Sequence, residues 1–490
     1  MNSYRISPRK SEIMASTIGV IGSGFLWLIC FKLVASWLGP EGVGLFSQLR
    51  QMIQAATIAA TFGGSNTIVQ GISVLSDESA RKQFRSSVAN LIGLTGTLIV
   101  VGFIATAPWL ANFFFASSVL NFVTAIYWMS LAIALSIAST YTLAVHNGYR
   151  SYFQLAVAQI SGPAILTILL LACWWRGFVF NPTLLAQCFV LCFGIAFVMG
   201  ARGIARDLPS SNEGSWLVHD ENWRAFLRFA GANLLTALSA TAAMLLIRSW
   251  IIDEHGLAFA GLFDAGWTLT FNYATIFLSA CNVIYLPTLT AVVDSKHQKD
   301  CVLRMAYLVL ATFVLVLYIL LIFKEALVSL LYSPQFHPST AVLNILGIAV
   351  LFRAVSWVYG TLLVATRQPL TLLISEVALN VSLLVATRFA LDRDLTTLEG
   401  LSWSFVLPHF LYLIFSIEYA NSKNKLLRRI DIWPLLLSAT LPLLFFEYFQ
   451  NSTDSSNINL SQYFFAACGL ATIGAALLGI ILNKRQNNKS

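Results

Sequence analysis

The chain has 490 residues, 57% hydrophobic and only 11% charged, with a mean hydropathy of +0.74. Soluble domains carry about 25% charged residues, so the composition excludes a soluble globular protein. Seven scattered cysteines and little polar low-complexity sequence exclude disulfide-built and disordered classes. What remains is a polytopic membrane protein of net charge +8, in which the placement of charge carries more information than its sum.

A bilayer-spanning helix needs roughly 20 mostly apolar residues. In chain order, apolar runs predict spans near 14–38, 42–72, 86–110, 119–145, 151–175 and 181–203, then 226–251, 258–289, 303–323, 339–365, 368–391 and 396–420, with a final pair near 432–450 and 461–483. The polar stretch from Arg202 to Arg224, containing Pro209-Ser210-Ser211-Asn212-Glu213-Gly214, reads as a linker. The expected organisation is a six-helix lobe with its linker over 1–214, a second lobe over 215–422, and an extra transmembrane hairpin and tail over 423–490. The expected fold class is thus all-α, with about fourteen transmembrane helices: two pseudo-symmetric lobes around a central cavity plus a C-terminal helix pair.

Lys and Arg crowd the loops of one side, among them Arg5, Arg9, Lys10, Arg81, Lys82, Arg85, Arg150, Arg202, Lys296, Lys299, Arg428 and Arg429; the other side holds only Arg176, Lys324 and Arg393. The positive-inside rule makes the first side cytoplasmic and places both termini there. Topology alone then explains the basic pI, and no nucleic-acid partner is expected. The N-terminus is basic and then apolar, but its apolar run is too long for a signal peptide and lacks a small-residue cleavage site, so it reads as a retained first span. The short outer loops leave no room for a catalytic domain, and no P-loop, G-x-S-x-G elbow, H-E-x-x-H or metal-ligand histidine spacing occurs. No catalytic residue, metal or cofactor is expected.

An internal repeat shows in short motifs. Ser36-Trp37 followed by Gly44-Leu45-Phe46-Ser47 is echoed by Ser249-Trp250 followed by Gly261-Leu262-Phe263-Asp264, each at an outer turn, with the gap four residues longer in the second copy. Beyond the turns, Ser47, Arg50, Gln54, Thr57 and Thr61 recur at helical spacing with Gln51 beside them, as do Asp264, Thr268, Asn272, Thr275, Ser279 and Asn282. A polar stripe that long does not face lipid. It serves either as helix–helix glue or as the wall of a water-filled cavity, and its recurrence in both halves favours the cavity.

A charge at mid-helix costs about 2.5–3.5 kcal/mol on insertion scales, so intramembrane charges are functional candidates. Arg50 and Arg353 fall deepest; Lys32 and Arg248 lie nearer the outer surface and could snorkel. Asp264 and Glu376 are the acids that could pair with these cations or carry a coupling proton or sodium ion. Arg388 and Glu447 read as interfacial. Four cations against two acids favour an anionic, phosphate-bearing substrate, because guanidinium binds phosphate in bidentate fashion.

Leu38-Gly39-Pro40-Glu41-Gly42-Val43-Gly44-Leu45-Phe46 followed by Leu49-Arg50-Gln51 resembles the first hairpin of Wzx-type lipid-linked oligosaccharide flippases, in the multidrug/oligosaccharidyl-lipid/polysaccharide exporter superfamily. Tyr285-Leu286-Pro287-Thr288-Leu289, Ser375-Glu376-Val377 and the stretch from Leu331 to Ala365 are similar too, so the resemblance covers most of 14–420. It looks most like the O-antigen and enterobacterial common antigen translocases; the hairpin after about residue 423 departs from the twelve-span pattern of many of these. The resemblance implies a V-shaped pair of lobes and a substrate of undecaprenyl pyrophosphate carrying an oligosaccharide, moved from the cytoplasmic to the periplasmic leaflet of a bacterial inner membrane. The pyrophosphate would be held by Arg50, Arg353, Arg248 and Lys32, with Gln51, Gln54 and Asn272 against sugar and Asp264 or Glu376 coupled to a proton or sodium gradient. A polysaccharide polymerase and chain-length machinery are the implied partners beside membrane lipids. A cation-coupled drug or metabolite antiporter is the competing reading, and a polysaccharide polymerase a more distant one.

Overall fold

In a computed structural model of the protein, the described residues are 10–424 apart from 64, 76, 117–119, 179–180, 208–220, 292–294, 367 and 394–396. The expected C-terminal hairpin and Glu447 lie outside them. The described chain is nearly all helix: α1 (Lys10–Ala60), α2 (Ser65–Val74), α3 (Glu78–Ala105), α4 (Ala107–Phe115), α5 (Leu120–Gly148), α6 (Tyr152–Trp175), α7 (Pro182–Asp207), α8 (Glu221–Trp267), a π-helical turn (Thr268–Asn272), α9 (Tyr273–Ala291), α10 (Ser295–Ile322), α11 (Lys324–Leu331), α12 (Ser339–Ala365), α13 (Pro369–Asp392) and α14 (Leu398–Asn424).

Among the described residues, ten helical stretches are long and apolar enough to cross a membrane. Two of them are double. Thr17–Ala60 has 44 residues, about 66 Å at 1.5 Å per residue, roughly twice the ~30 Å hydrocarbon core. It is broken at Gly39, where φ is 66°; only glycine takes that backbone without strain, and Pro40 then opens the second leg with its φ already set. Asn233–Ser279, with 47 residues, is broken in the same way at Gly256, φ 80°. Each of these stretches is long enough for two crossings, and the predicted spans from 14–38 to 396–420 fall on helices or half-helices, with 42–72 running on into α2, 86–110 into α4 and 258–289 through the π turn into α9. The chain is a polytopic all-α membrane protein.

The helix ends repeat. Glu78–Ala105 is matched by Ser295–Ile322, whose C-terminal ends lie 217 residues apart (322 − 105). Tyr152–Trp175 is matched by Pro369–Asp392 (369 − 152, 392 − 175), and the two glycine breaks by 256 − 39. α5 and α12 end 217 residues apart (365 − 148). Two short helices missed at the sequence level, α4 and α11, begin at the same interval (324 − 107). Gly44 and Gly261 obey the offset, but Ser36-Trp37 and Ser249-Trp250 do not: Ser36 precedes its break by three residues (39 − 36) and Ser249 by seven (256 − 249). That serine–tryptophan match is a coincidence displaced by one helical turn.

The chain forms two compact units, one running to Gly261 and including Leu331–Ser333, the other comprising Leu262–Leu330 and the chain from Pro334. Inside the first, α3 packs on α5, and α5 and α6 on α7; inside the second, the equivalent helices pair in the same way, α10 on α12, and α12 and α13 on α14. The first unit also contains a backbone-to-backbone crossing. A Cβ on Gly44 would run into the Leu257 carbonyl, and one on Gly261 into the Pro40 carbonyl. Leu257 lies 217 residues after Pro40 (257 − 40), so the contact is reciprocal about the repeat.

Candidate functional site

The first unit gathers three of the predicted cations. Arg50 lies eleven residues past the break at Gly39 (50 − 39), about 16 Å along the helix. Its guanidinium stands 5.0 Å from the Phe31 ring and 5.4 Å from the Trp27 ring, both on the preceding leg of α1. Such stacking holds a cation at membrane depth. Gln51 bridges α1 to α8: its Oε1 accepts from Arg248 Nη1 at 3.1 Å, and its Nε2 donates to the Thr241 carbonyl at 3.3 Å. Arg248 is only 6% exposed, so it does not snorkel as its position in the sequence suggested. Lys32, half-buried, donates from Nζ to the Tyr332 carbonyl.

The polar stripes occupy equivalent helices. Ser47 and Asp264 are both buried, Asp264 at 1% exposure, and differ by the common offset (264 − 47). The π turn then inserts one residue in the second copy, and past it similar polar residues meet at 218: Gln54 with Asn272 (272 − 54), Thr57 with Thr275 (275 − 57), Thr61 with Ser279 (279 − 61). The offset is back to 217 at the C-terminal ends of α3 and α10 (322 − 105); between α1 and α2 the first copy has a left-handed break at Phe62 and Gly63. Gln54 is exposed; Asn272 is half-exposed and donates from Nδ2 to Thr268 Oγ1 at 3.2 Å across the π turn. π turns concentrate at functional positions in helices.

In the second unit, Arg353 of α12 and Glu376 of α13 form a bidentate pair, Nη1 to Oε1 at 3.0 Å and Nη2 to Oε2 at 3.1 Å. Tyr412 of α14 donates its hydroxyl to Glu376 Oε1 at 2.6 Å, and its ring lies 5.3 Å from the guanidinium. His409, buried one turn away, has Nδ1 2.7 Å from the Phe405 carbonyl and its ring 5.1 Å from Phe271. Three helices are thus clamped by one charged cluster. Arg388 pairs with Asp392 at 2.8 Å near the end of α13, with both side chains about half exposed, in keeping with an interfacial role.

Two buried groups escaped the sequence reading. Lys324, read as an outer-loop residue, opens α11 at 7% exposure and donates to Asn344 Oδ1 at 3.3 Å. His146 is fully buried, with Nε2 2.9 Å from the Gly200 carbonyl. Both are single residues without a motif, so no spacing signal marks them.

No family model matches the chain. Over 372 residues, 74% of this chain and 86% of the relative, it is 22% identical to Lipid III flippase of Escherichia coli K12, and equally to Lipid III flippase of Shigella flexneri. Among solved structures it is similar to an inward-facing multidrug resistance MATE family transporter of the MOP superfamily (TM-score 0.70, 13% identity, 85% of this chain and 99% of that one). It is also similar to Lipid II flippase MurJ in an inward closed conformation (TM-score 0.69, 13% identity, 94% of this chain and 98% of that one). At these identities the likeness establishes the fold.

Proposed function

We propose that the protein is a flippase that moves an undecaprenyl-pyrophosphate-linked oligosaccharide from the cytoplasmic to the periplasmic leaflet of a bacterial inner membrane during surface-polysaccharide synthesis. Isolated charge and polar sugar do not cross hydrocarbon, because burying them unpaired is prohibitive. The observation that carries the reading is the set Lys32, Arg50 and Arg248, three cations at membrane depth in one unit, with Arg248 bonded to Gln51, the residue after Arg50. These suit a diphosphate. Gln54 and Asn272, equivalent in the two repeats, offer amides to sugar hydroxyls. Arg353 is engaged by Glu376 and Tyr412 and serves first as a strut. Alternating access by movement of one repeat against the other, a mode common to repeat-built transporters, would be driven by a proton or sodium gradient acting through Asp264. A polymerase and chain-length machinery would receive the product. The likeness to named lipid-precursor flippases in both sequence and structure supports the class.

The test is reconstituted flipping of a lipid-pyrophosphate oligosaccharide, paired with restoration of surface polysaccharide in a deletion strain. Arg50→Ala and Arg248→Ala, expressed at wild-type level, are expected to lose most activity; full activity in both sinks the anion site. The likeness to MATE transporters favours a second reading, a cation-coupled drug antiporter. On that reading Asp264→Asn abolishes transport while both arginine variants are silent, and the deletion strain keeps its polysaccharide but becomes sensitive to cationic compounds.

A further inference from the structure

The surface of the first unit carries an open apolar groove of about 350 Å³ between α3 and α5, lined among others by Ile92, Gly93, Gly96, Val100, Ile137 and Tyr141. It runs along α3 from Ala89 to Val101, about 18 Å at 1.5 Å per residue, which is close to one leaflet of a ~30 Å hydrocarbon core. The glycines make it. Gly93 is exposed, and a Cβ there would meet nothing within 4 Å; one on Gly96 would meet only Ile137. Leu94, Leu98 and Val101 flank it as exposed apolar side chains, so the groove opens where the protein meets lipid.

One end is basic. Lys82, Arg85, Ala89, Ile92 and Gly96 recur at three- and four-residue intervals and so share a face of α3. Tyr141, in the groove wall, donates its hydroxyl to the Arg85 carbonyl at 3.0 Å. The buried Arg85 guanidinium lies 5.9 Å from the Tyr149 ring. Arg81, Lys82 and Arg85 stand at this end against Asp77 and Glu78, a formal excess of one positive charge, with Glu78 3.7 Å from Arg81. This is the end that the positive-inside distribution assigns to the cytoplasm.

The second repeat supplies an internal control. At the common offset, Gly93 and Gly96 become Leu310 (310 − 93) and Phe313 (313 − 96), and Arg85 becomes Val302 (302 − 85), all three buried. The lysine persists as Lys299 (299 − 82). The fold therefore does not require the groove. The first repeat has opened the space that its counterpart fills.

We infer that this groove is a binding site for an anionic phospholipid of the surrounding membrane, with one acyl chain along Gly93 and Gly96 and the phosphate at Lys82. The groove has little for a sugar head to bond: the Thr97 hydroxyl already donates to the Gly93 carbonyl at 2.7 Å, and the Tyr141 hydroxyl to Arg85. Charge complementarity at the mouth favours an anion over a zwitterion, since a basic residue near the headgroups contributes about 1 kcal/mol, or fivefold.

The test is native mass spectrometry of the delipidated full-length protein titrated with phosphatidylglycerol or with phosphatidylcholine of the same chains. The wild type is expected to retain phosphatidylglycerol at least about fivefold better. Gly93→Leu, which fills open space, should abolish that preference without lowering the unfolding temperature, and Lys82→Ala should weaken it by a similar factor. Equal retention of the two lipids by the wild type, or an unchanged preference in Gly93→Leu, overturns the inference. Stoichiometric displacement of phosphatidylglycerol by undecaprenyl phosphate in the wild type but not in Gly93→Leu also overturns it, because the groove would then hold an isoprenoid carrier. Flipping activity is a separate readout, so failure here leaves the proposed function standing.

Discussion

The Arg353–Glu376 pair sets up a test that separates a strut from a substrate ligand. Removing one partner of a fully buried pair costs about 3–5 kcal/mol, whereas exposed pairs contribute about 0–1 kcal/mol. Here the arginine side chain is 31% exposed and the glutamate 12%, so either single substitution to alanine should cost about 2–3 kcal/mol. The bidentate geometry and the Tyr412 hydroxyl hold both groups in place. The double-alanine variant should therefore cost clearly less than the sum of the singles, with a coupling of about 1–2 kcal/mol. The measurement is thermal unfolding of the purified variants in detergent, alongside the exchanged pair Arg353→Glu with Glu376→Arg. The exchanged pair should recover much of the lost stability. Strict additivity of the singles would refute the clamp. Recovery of stability without recovery of flipping would move Arg353 back among the groups that touch substrate.

Other outcomes follow from the same geometry. Arg50→Ala should lose about 1–2 kcal/mol from its two cation–π contacts, at about 0.5–1 kcal/mol each, and fold to a normal yield while most flipping is lost; a loss of folded protein that tracks the activity loss would argue for a packing role. Gly44→Ala should sharply lower the yield of folded protein, because its Cβ meets the Leu257 carbonyl, whereas Gly24→Ala, with nothing within 4 Å, should be neutral; comparison of monodisperse yield checks both. Asp77 caps α3, and hydrogen bonds from the Ser79 hydroxyl and the Ala80 N–H hold its carboxyl below the usual carboxylate range. A depressed carboxyl pKa contributes stability above the unfolded value that is lost as pH falls through the folded one. Asp77→Ala should thus lower the unfolding temperature at neutral pH and flatten its decline below about pH 4.

The spans were legible because twenty-residue apolar runs have one physical explanation in a chain this poor in charge. The repeat was legible only where identical residues happened to survive, at Gly44-Leu45-Phe46 and Gly261-Leu262-Phe263. Most equivalent positions share a helix end rather than a residue type, and backbone boundaries leave no residue signature. That is also why Ser249-Trp250 misled: two common membrane residues one turn out of place look like a match until the breaks at Gly39 and Gly256 fix the register. At the candidate site, depth alone picked out Arg50, Arg353 and Glu376. Which groups meet was not readable: Glu376 is 23 residues from Arg353 and Tyr412 36 beyond Glu376, each on a different helix. The burial of Arg248 against Gln51, 197 residues away, likewise belongs to tertiary packing.

The π turn makes the sharpest remaining prediction, because it concerns register rather than any single contact. Deleting a residue from an α-helix turns everything beyond it by about 100° and draws it back about 1.5 Å, which sends apolar faces into polar surroundings for the rest of the span. Thr268–Asn272 is the exception, since that segment already carries one residue more than its counterpart in α1. Deleting Leu269 should let the turn close into ordinary α-helix and keep Thr275 and Ser279 on the face they share with Asp264. Deleting Val314, buried mid-way along α10, has no surplus to absorb it. Purified yield and unfolding temperature should therefore be near wild type for the first deletion and collapse for the second. Flipping by the first should still fall, because the Asn272 to Thr268 bond across the turn is lost. Equal damage from both deletions would show that the extra residue at 268–272 is held by its surroundings, and that the two polar stripes agree by composition rather than by register.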